Sequence, residues 1–196
     1  MNFKQERTFV MVKPDGVKRG LIGEIIRRIE QRGLKVVALR MTHATEEQVD
    51  GHYPKDPAWI TRLGEKTLKT YAKYGLDPNK EMGSDKAEEI GPHVRKWLIT
   101  YMTSAPVVQM VVEGIHSVDM VRKMAGDTIP AFAEMGTIRG DYSVDSAASA
   151  NRDKRAIHNL IHASETAEEA AHEVEYWFGG ADTICPYARV EEDLML

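Results

Sequence analysis

Three short apolar runs, with amphipathic helices between them, restrict the possible fold of this chain more than any other feature. The segments Thr8–Lys13, Leu34–Met41 and Pro106–Glu113 are rich in β-branched residues, which predicts buried strands. Between the first two, Leu21–Arg32 places isoleucines at i, i+3, i+4 and i+7 and is followed by Gly33, which predicts a capped amphipathic helix. Strands and helices that alternate in this way favour an α/β sandwich.

The rest of the chain predicts further helices and two loops. Residues 54–92 are interrupted by proline and glycine, and a helix between them has an apolar face formed by Ile60, Leu63, Thr67, Tyr71 and Tyr74. Thr128–Gly140 is predicted to be a loop, and Asp145–Arg155 a polar, mobile one. Other helices are predicted over Thr45–Gly51, Val94–Met102, Ser117–Ala125 and Ser164–Phe178.

Composition limits the classes of protein to consider. The 196 residues suffice for one domain with an insertion, and 42% hydrophobic with 29% charged residues is typical of a globular chain. The formal net charge of −4 disfavours a large nucleic-acid or anionic-membrane surface. A single cysteine, Cys185, allows no internal disulfide, and the sequence has neither a secretory signal nor a membrane-spanning run. We therefore expect a cytoplasmic protein.

Common catalytic signatures are missing, which directs attention to scattered cations and histidines. The sequence has no P-loop, no G-x-G-x-x-G, no zinc-ligand spacing and no G-x-S-x-G. Lys13 ends the first predicted strand and Arg122 lies on a predicted helix, but taken alone each is better explained as a solvated charge. Arg139 has glycines at 136 and 140, which allow a close backbone approach to a ligand, and its guanidinium suits phosphate.

His162 differs from the other histidines of the seven in its position. It follows the apolar pair Leu160-Ile161 and precedes a predicted helix, so its backbone is fixed and its ring is exposed. A neutral imidazole is a nucleophile near neutral pH without a separate base. Glu173 on the following helix could hold one ring nitrogen and leave the other free, although a solvated glutamate is as good an explanation from composition alone.

Five blocks of the sequence, taken together, resemble one known family. The segment Asn159-Leu160-Ile161-His162-Ala163-Ser164-Glu165 resembles the signature Asn-x-x-His-[Gly/Ala]-Ser-[Asp/Glu] of nucleoside diphosphate kinases. Four further blocks resemble the same family in its order and spacing, and the resemblance covers nearly the whole chain apart from two insertions. These blocks are Thr8–Val17, Tyr101–Gly114, Arg122–Pro130 and Gly136–Asp141.

The resemblance implies a fold and a reaction. The fold would be a ferredoxin-like α/β (α+β) sandwich, in which helices cover a four-stranded antiparallel sheet. The reaction would be the ping-pong transfer of the γ-phosphate from a nucleoside triphosphate such as ATP to a nucleoside diphosphate, through a phosphohistidine. Mg²⁺ would be carried on the nucleotide phosphates, and the chain would self-associate into hexamers or tetramers.

The resemblance also implies a role for individual residues. His162 would be the nucleophile, Glu173 would orient its imidazole, and Ser164 would support that glutamate. Tyr53 would lie near the histidine, and Asn159 and Lys13 would reach the ribose. The phosphates would be held by Lys13, Arg122, Thr128 and Arg139.

Two insertions depart from the family pattern, and both adjoin the side that binds the base. The first, a helical insertion at about 54–92, precedes the place of an aromatic residue that stacks on the base; counting back from Leu98 gives Val94 there, with Trp97 as the alternative. The second, at about 144–156, replaces a run that packs on the other face of the base, a role left to Ala156 or Ile157. We therefore expect one domain, 1–196, with intact chemistry and an altered base site.

Two other functions compete with this one. A non-catalytic nucleotide-binding regulatory protein with the same fold would need no nucleophile, whereas His162 and its surrounding motif are intact. Nucleic-acid binding is disfavoured by the net charge of −4 and by the lack of a basic run. The sequence therefore predicts an active nucleoside diphosphate kinase.

Overall fold

A four-stranded antiparallel sheet forms the centre of the computed structural model, which describes residues 5–179 and 183–190. Strand β1 (Glu6–Val12) pairs with β3 (Val107–Gly114) and with β4 (Ile161–Ala163), and β2 (Lys35–Thr42) pairs with β3. The resulting order is β2-β3-β1-β4. The predicted antiparallel sheet of a ferredoxin-like sandwich is thereby confirmed.

Helices connect and cover these strands. In chain order they are α1 (Pro14–Lys18), α2 (Ile22–Gln31), α3 (Glu46–His52), α4 (Pro57–Lys73), α5 (Pro78–Met82), α6 (Ala87–Met102), α7 (Ser117–Ala125), α8 (Ile138–Tyr142), α9 (Ala147–Arg152) and α10 (Ala167–Phe178).

Both faces of the sheet are buried, because alternate residues of a strand point to opposite sides. Val10 and Val12 of β1 face a layer that contains α2, α7 and α8. Phe9 and Met11 face the opposite layer, which contains α3, α6 and α10. His162 of β4 pairs directly with Met11, so its side chain lies on this second face.

Helix α4 packs along α6, and two glycines permit their close contact. A Cβ atom on Gly64 would lie 2.0 Å from the carbonyl oxygen of Ala87, and one on Gly91 would lie 2.1 Å from that of Ile60. The helix predicted between residues 60 and 74 is thus present. Helix α6 starts earlier than the predicted Val94, at Ala87, because Pro92 lies inside it without ending it.

Four local predictions were wrong or incomplete. The loop predicted over Thr128–Gly140 contains a 3₁₀ turn at Pro130–Phe132 and the start of α8. The stretch predicted to be mobile, Asp145–Arg155, contains α9, whose first turn is capped by Ser146. Helix α10 begins later than Ser164, and the residues before it form β4, which the apolar pattern did not indicate. Of the tail predicted from residue 188, positions 191–196 lie outside the described residues.

Candidate active site

His162 is held at one ring nitrogen by a buried carboxylate. Its Nε2 lies 2.8 Å from Oε1 and 2.9 Å from Oε2 of Glu173, which reaches it from α10. The Ser164 hydroxyl donates to Oε2 of the same carboxylate at 2.6 Å. Because the carboxylate accepts a hydrogen bond from Nε2–H, the lone pair of the ring lies on Nδ1.

The surroundings keep the His162 ring uncharged. Burial, and next the positive charge of Lys13, lower the pKa of His162 to about 3. Burial raises the pKa of Glu173, against the opposing effects of His52 and the Ser164 hydrogen bond. At neutral pH the ring is therefore neutral, which is the state in which imidazole acts as a nucleophile.

His52 is a member of this site that sequence reasoning did not find. Its Nδ1 accepts a hydrogen bond from Trp177 Nε1–H at 3.2 Å and lies 3.4 Å from Oε1 of Glu173. The His52 and His162 rings are 4.9 Å apart and perpendicular. The only signal in the sequence was that His52 precedes Tyr53, a predicted site residue; its contacts on α10 lie more than one hundred residues away.

Lys13 and Asn159 form a buried pair beside the histidine. Lys13 Nζ donates to Asn159 Oδ1 at 2.7 Å, and the Asn159 amide donates to the Thr128 carbonyl at 2.9 Å. Burial, and next the charge of Arg139, lower the pKa of Lys13 to about 7. A lysine whose pKa is lowered to near 7 is stabilised in its charged form by an anion, because the anion raises the pKa back towards its ordinary value.

Arg139 is fixed by backbone carbonyls on three sides. Its Nε donates to Asn159 O at 3.1 Å, and its two terminal nitrogens donate to Gly126 O and Ile161 O, each at 2.7 Å. A guanidinium carries five N–H groups, so these bonds leave part of the fork available to a ligand. Burial lowers the pKa of Arg139 to about 10, which leaves it charged at neutral pH.

The backbone that leads into β4 is strained. Leu160 has a φ of 66°, a left-handed conformation that is rare for a bulky residue. Asp15 accepts the Leu160 N–H at 3.1 Å, and Lys13 N–H donates to the Leu160 carbonyl at 2.8 Å. That carbonyl would lie 2.9 Å from a Cβ atom at Gly16. The position of His162 is thus set by a conformation that its neighbours enforce.

A cavity of about 610 Å³ opens from His162. In its inner half, Lys13, Asn159 and Tyr53 surround the histidine. Its outer half lies between helices α4 and α9, which contact each other through a 3.4 Å hydrogen bond from Tyr71 Oη to the Asn151 carbonyl. Both regions predicted to be insertions therefore contribute walls to the same cavity.

The structure brings most of the predicted site residues together. Arg139 is buried beside the cavity, and Arg122 is 43% exposed, 3.7 Å from Glu165. Trp97 is partly buried and packs against the core, and the described cavity lining includes Val94 but not Trp97. The predicted residues that line the cavity are Lys13, Tyr53, Val94, Thr128, Asn159 and His162, together with Ala156 and Ile157.

Metal-binding side chains are sparse around this cavity. Within the described ranges, one group of three potential ligands has the required proximity, namely His52, His162 and Glu173. The ligand atoms of these side chains are already engaged, since His162 hydrogen-bonds to Glu173 and His52 accepts a hydrogen bond from Trp177. Asp127 is the one carboxylate among the described lining residues.

Over the same described ranges, every helix is too short or too polar to cross a membrane.

Comparison with known proteins gives a consistent result. A family model described as nucleoside diphosphate kinase matches residues 6–58 and 60–183. The nucleoside diphosphate kinase of Pyrobaculum aerophilum is 46% identical over 173 residues, which cover 88% of this chain and 94% of the relative. That of Pyrococcus abyssi is 38% identical over 189 residues, covering 96% and 93%.

Solved structures similar to this chain are also nucleoside diphosphate kinases. The crystal structure of an NDP kinase from Pyrobaculum aerophilum superposes with a TM-score of 0.89 at 42% identity and covers 93% of this chain and 100% of that one. A transition-state mimic of the Borrelia burgdorferi nucleoside-diphosphate kinase, with bound vanadate and ADP, gives 0.77 at 34% identity and covers 97% and 96%. Fold and relatives together define an enzyme of the phosphotransferase class. More particularly, the chain belongs to the nucleoside diphosphate kinase family.

Proposed function

We propose that His162 carries the phosphate in this nucleoside diphosphate kinase, and that the attacking atom is Nδ1. The observation that supports this choice is the pair of contacts at 2.8 and 2.9 Å that bind Nε2 to Glu173. In the first half-reaction, the Nδ1 lone pair forms a bond to the γ-phosphorus and the bond from phosphorus to the β–γ bridging oxygen breaks. The nucleoside diphosphate leaves with that electron pair. In the second half-reaction, an acceptor diphosphate reverses these steps.

Glu173 acts on the charge that develops during the transfer. A phosphorylated imidazole becomes cationic when Nε2 keeps its proton, and the adjacent carboxylate stabilises that cation without taking the proton. Ser164 holds the carboxylate in place through its 2.6 Å hydrogen bond. His52 borders the same carboxylate on its other side. Phosphoryl transfer depends largely on such positioning and on charge stabilisation.

Lys13, Arg122, Thr128 and Arg139 are proposed as phosphate ligands, and Asn159 with Lys13 as ribose ligands. Arg139 and Lys13 are already rigid before a ligand arrives, which lowers the entropic cost of binding. The family uses a divalent metal with its nucleotides, and we propose Mg²⁺. The scarcity of carboxylates along the cavity fits an ion held mainly by phosphate oxygens. When bound, it neutralises phosphate charge.

The base is proposed to lie between aliphatic walls. Val94 and Leu98 of α6 line the cavity, as do Ala156 and Ile157, and we propose that the two pairs face each other across the base. Val94 rather than Trp97 is the proposed stacking residue, because the indole packs into the core. Aliphatic side chains contact the flat faces of a base and make no hydrogen bonds to its edges. We therefore expect the enzyme to accept different bases.

Assembly and location are proposals of the same kind. We infer self-association into a hexamer or tetramer, which light scattering coupled to size-exclusion chromatography would measure. The single cysteine is compatible with a reducing, cytoplasmic location. The net charge of −4 disfavours nucleic acid as a partner.

Labelling with γ-phosphate tests the assignment of His162. Incubation with γ-labelled ATP is expected to give a phosphoenzyme that is labile to acid and stable to alkali, and added nucleoside diphosphates should discharge it. His162→Ala should abolish labelling, whereas His43→Ala, at an exposed position, should label fully. Equal labelling of the His162→Ala variant would refute the assignment. A wild-type protein that binds nucleotide but never labels would instead favour the non-catalytic regulatory alternative.

A further inference from the structure

Three lysines line the outer half of the cavity along one side of α4. Lys66, Lys69 and Lys73 are spaced three and four residues apart, so they form a single row on the helix surface. All three are exposed. Across the described part of the chain, none of them forms an ion pair, unlike Lys80 and Lys86 of the same region, which pair with Asp77 and Glu89. We call these three residues the lysine row.

The lysine row lies beyond the proposed base site. The contacts of Gly64 with Ala87 and of Gly91 with Ile60 fix α4 and α6 side by side in opposite directions. Residues after Gly64 therefore extend away from Val94, and Lys73 lies about 13 Å further along α4 at about 1.5 Å per residue. The far end of the row is marked by Lys73 Nζ, 4.9 Å from the centre of the Phe132 ring. The row thus flanks the entrance and not the histidine.

The charge of this entrance is opposite to that of the whole chain. The chain has a formal net charge of −4, yet Lys13 and the lysine row line the cavity with Asp127 as the one described carboxylate. Arg155 also lines it but is neutralised by Asp145 at 2.6 Å. Uncompensated ammonium groups along a cleft concentrate the field at its mouth and attract anions. A nucleotide polyphosphate is the anion that the inner half is proposed to take.

We propose that the lysine row is an outer anion-binding subsite that captures the polyphosphate of an entering nucleotide before it reaches Lys13 and Arg139. This inference rests on the proposed function, because it assigns the first encounter of the same substrate. Lysine suits such a transient contact, since its ammonium has three donors and no fixed fork geometry. The row holds the phosphates loosely, whereas the rigid inner ligands hold them in one place. Its role is in the rate of association, and it takes no part in the chemical step.

Salt dependence distinguishes capture from ordinary surface charge. We would compare wild type with a triple variant, Lys66→Gln, Lys69→Gln and Lys73→Gln. The matched control is Lys80→Gln, Lys86→Gln and Lys96→Gln, which changes the net charge equally at exposed positions that do not line the cavity. The rates are those of phosphoenzyme formation from ATP at limiting concentration, and of stopped-flow binding of a fluorescent nucleoside diphosphate. Both are measured from low salt to about 0.3 M, where the Debye length falls well below 10 Å.

The row variant is expected to associate about tenfold more slowly than wild type at low salt and to lose most of its salt dependence. Its kcat should be unchanged, and all rates should converge at high salt. The control should behave like wild type, and Lys→Arg at all three row positions should restore the fast association. A row variant with the same salt dependence as the control would overturn the proposal. Failure of the wild type to form phosphoenzyme would contradict the proposed function, while the binding experiment would still test the row.

Discussion

The two halves of the cavity are built on different principles. In the inner half, buried polar groups are fixed by hydrogen bonds to one another and to the backbone, as Arg139 is by three carbonyls and Glu173 by Ser164. In the outer half, α4 and α9 pack together with a 3.4 Å hydrogen bond from Tyr71 Oη to the Asn151 carbonyl, and α4 presents exposed lysines. A rigid inner half suits a reaction with narrow geometric demands, and a looser outer half suits entry and exit. Substitutions in the two halves should therefore change different kinetic constants.

Glu173→Gln should have the largest effect, in kcat. The amide keeps the shape of the carboxylate but not the charge that stabilises the phosphoimidazole cation, so kcat should fall roughly 100-fold. The thermal midpoint should change little, because Gln can still accept hydrogen bonds from His162 and Ser164. Steady-state kinetics and calorimetry measure both. Glu168→Gln, exposed on the same helix, is the control. A large rise in KM with kcat preserved would mean that Glu173 serves binding instead.

The next largest effect should be a change in nucleotide affinity with pH. The pKa of Lys13 is lowered to about 7 in the empty site, so above that pH the ammonium loses its proton and its attraction for phosphate. From pH 7 to pH 8, binding should take up a proton, and the Kd for a nucleoside diphosphate should rise about fivefold. Calorimetry in two buffers of different ionisation enthalpy measures that uptake. Lys13→Arg should remove it, because arginine stays charged. Proton-independent binding by wild type would contradict this assignment.

Gly64→Ala should weaken the outer half selectively. The added methyl would lie 2.0 Å from the Ala87 carbonyl oxygen and would push α4 away from α6. We expect a destabilisation of about 1–3 kcal/mol from overpacking. KM should rise several-fold while kcat stays near wild type, since α4 packs mainly against α6 and α9. Gly23→Ala, in α2 with open space around the glycine, is the matched control. An equal fall in kcat would show that the two halves are not independent.

Substitution of His52 should give the smallest change. His52→Ala leaves the buried Trp177 N–H without its acceptor, which should cost about 1–3 kcal/mol of stability. His52→Asn offers an oxygen close to the position of Nδ1 and should recover much of that loss. Because His52 packs edge-on against the His162 ring and borders Glu173 at 3.4 Å, but does not make the hydrogen bond that holds the His162 ring nitrogen, kcat should fall by only a few-fold. Unfolding curves and kinetics of both variants test this ordering. A loss of kcat as large as that of Glu173→Gln would place His52 in the inner machinery itself.

Much of the fold was predictable because its signals are local. Strand β1 and helix α2 each carry a complete apolar period within a dozen residues. Strand β4 has three residues, too few to show alternation, and its pairing with β1 is decided by residues 150 positions away. Helix α9 consists of small and polar residues that resemble a loop; it is set by the Ser146 cap and by contact with α4.

The candidate site was predictable in the inner half and open in the outer half. A motif around His162 indicated the proposed nucleophile, and the structure places His162, Ser164 and Glu173 together, because the signature residues lie close together in sequence. The choice between Val94 and Trp97 could not be made, because three residues on a helix leave both on neighbouring faces. In the folded chain Val94 lines the described part of the cavity and Trp97 packs against the core, which favours Val94 as the proposed stacking residue. His52 was missed because Glu173 and Trp177 meet it only in the folded chain.

The left-handed backbone at Leu160 has a consequence for how this chain tolerates change. A non-glycine residue in that conformation carries a cost of about 1–2 kcal/mol, two positions before the proposed nucleophile. Leucine nevertheless occupies the position, and its side chain is fully buried in the core. Relief of the strain by glycine would therefore open a cavity and free the segment that aims His162. No substitution at this position relieves the strain without a loss of packing, so catalytic geometry and core packing constrain residue 160 together.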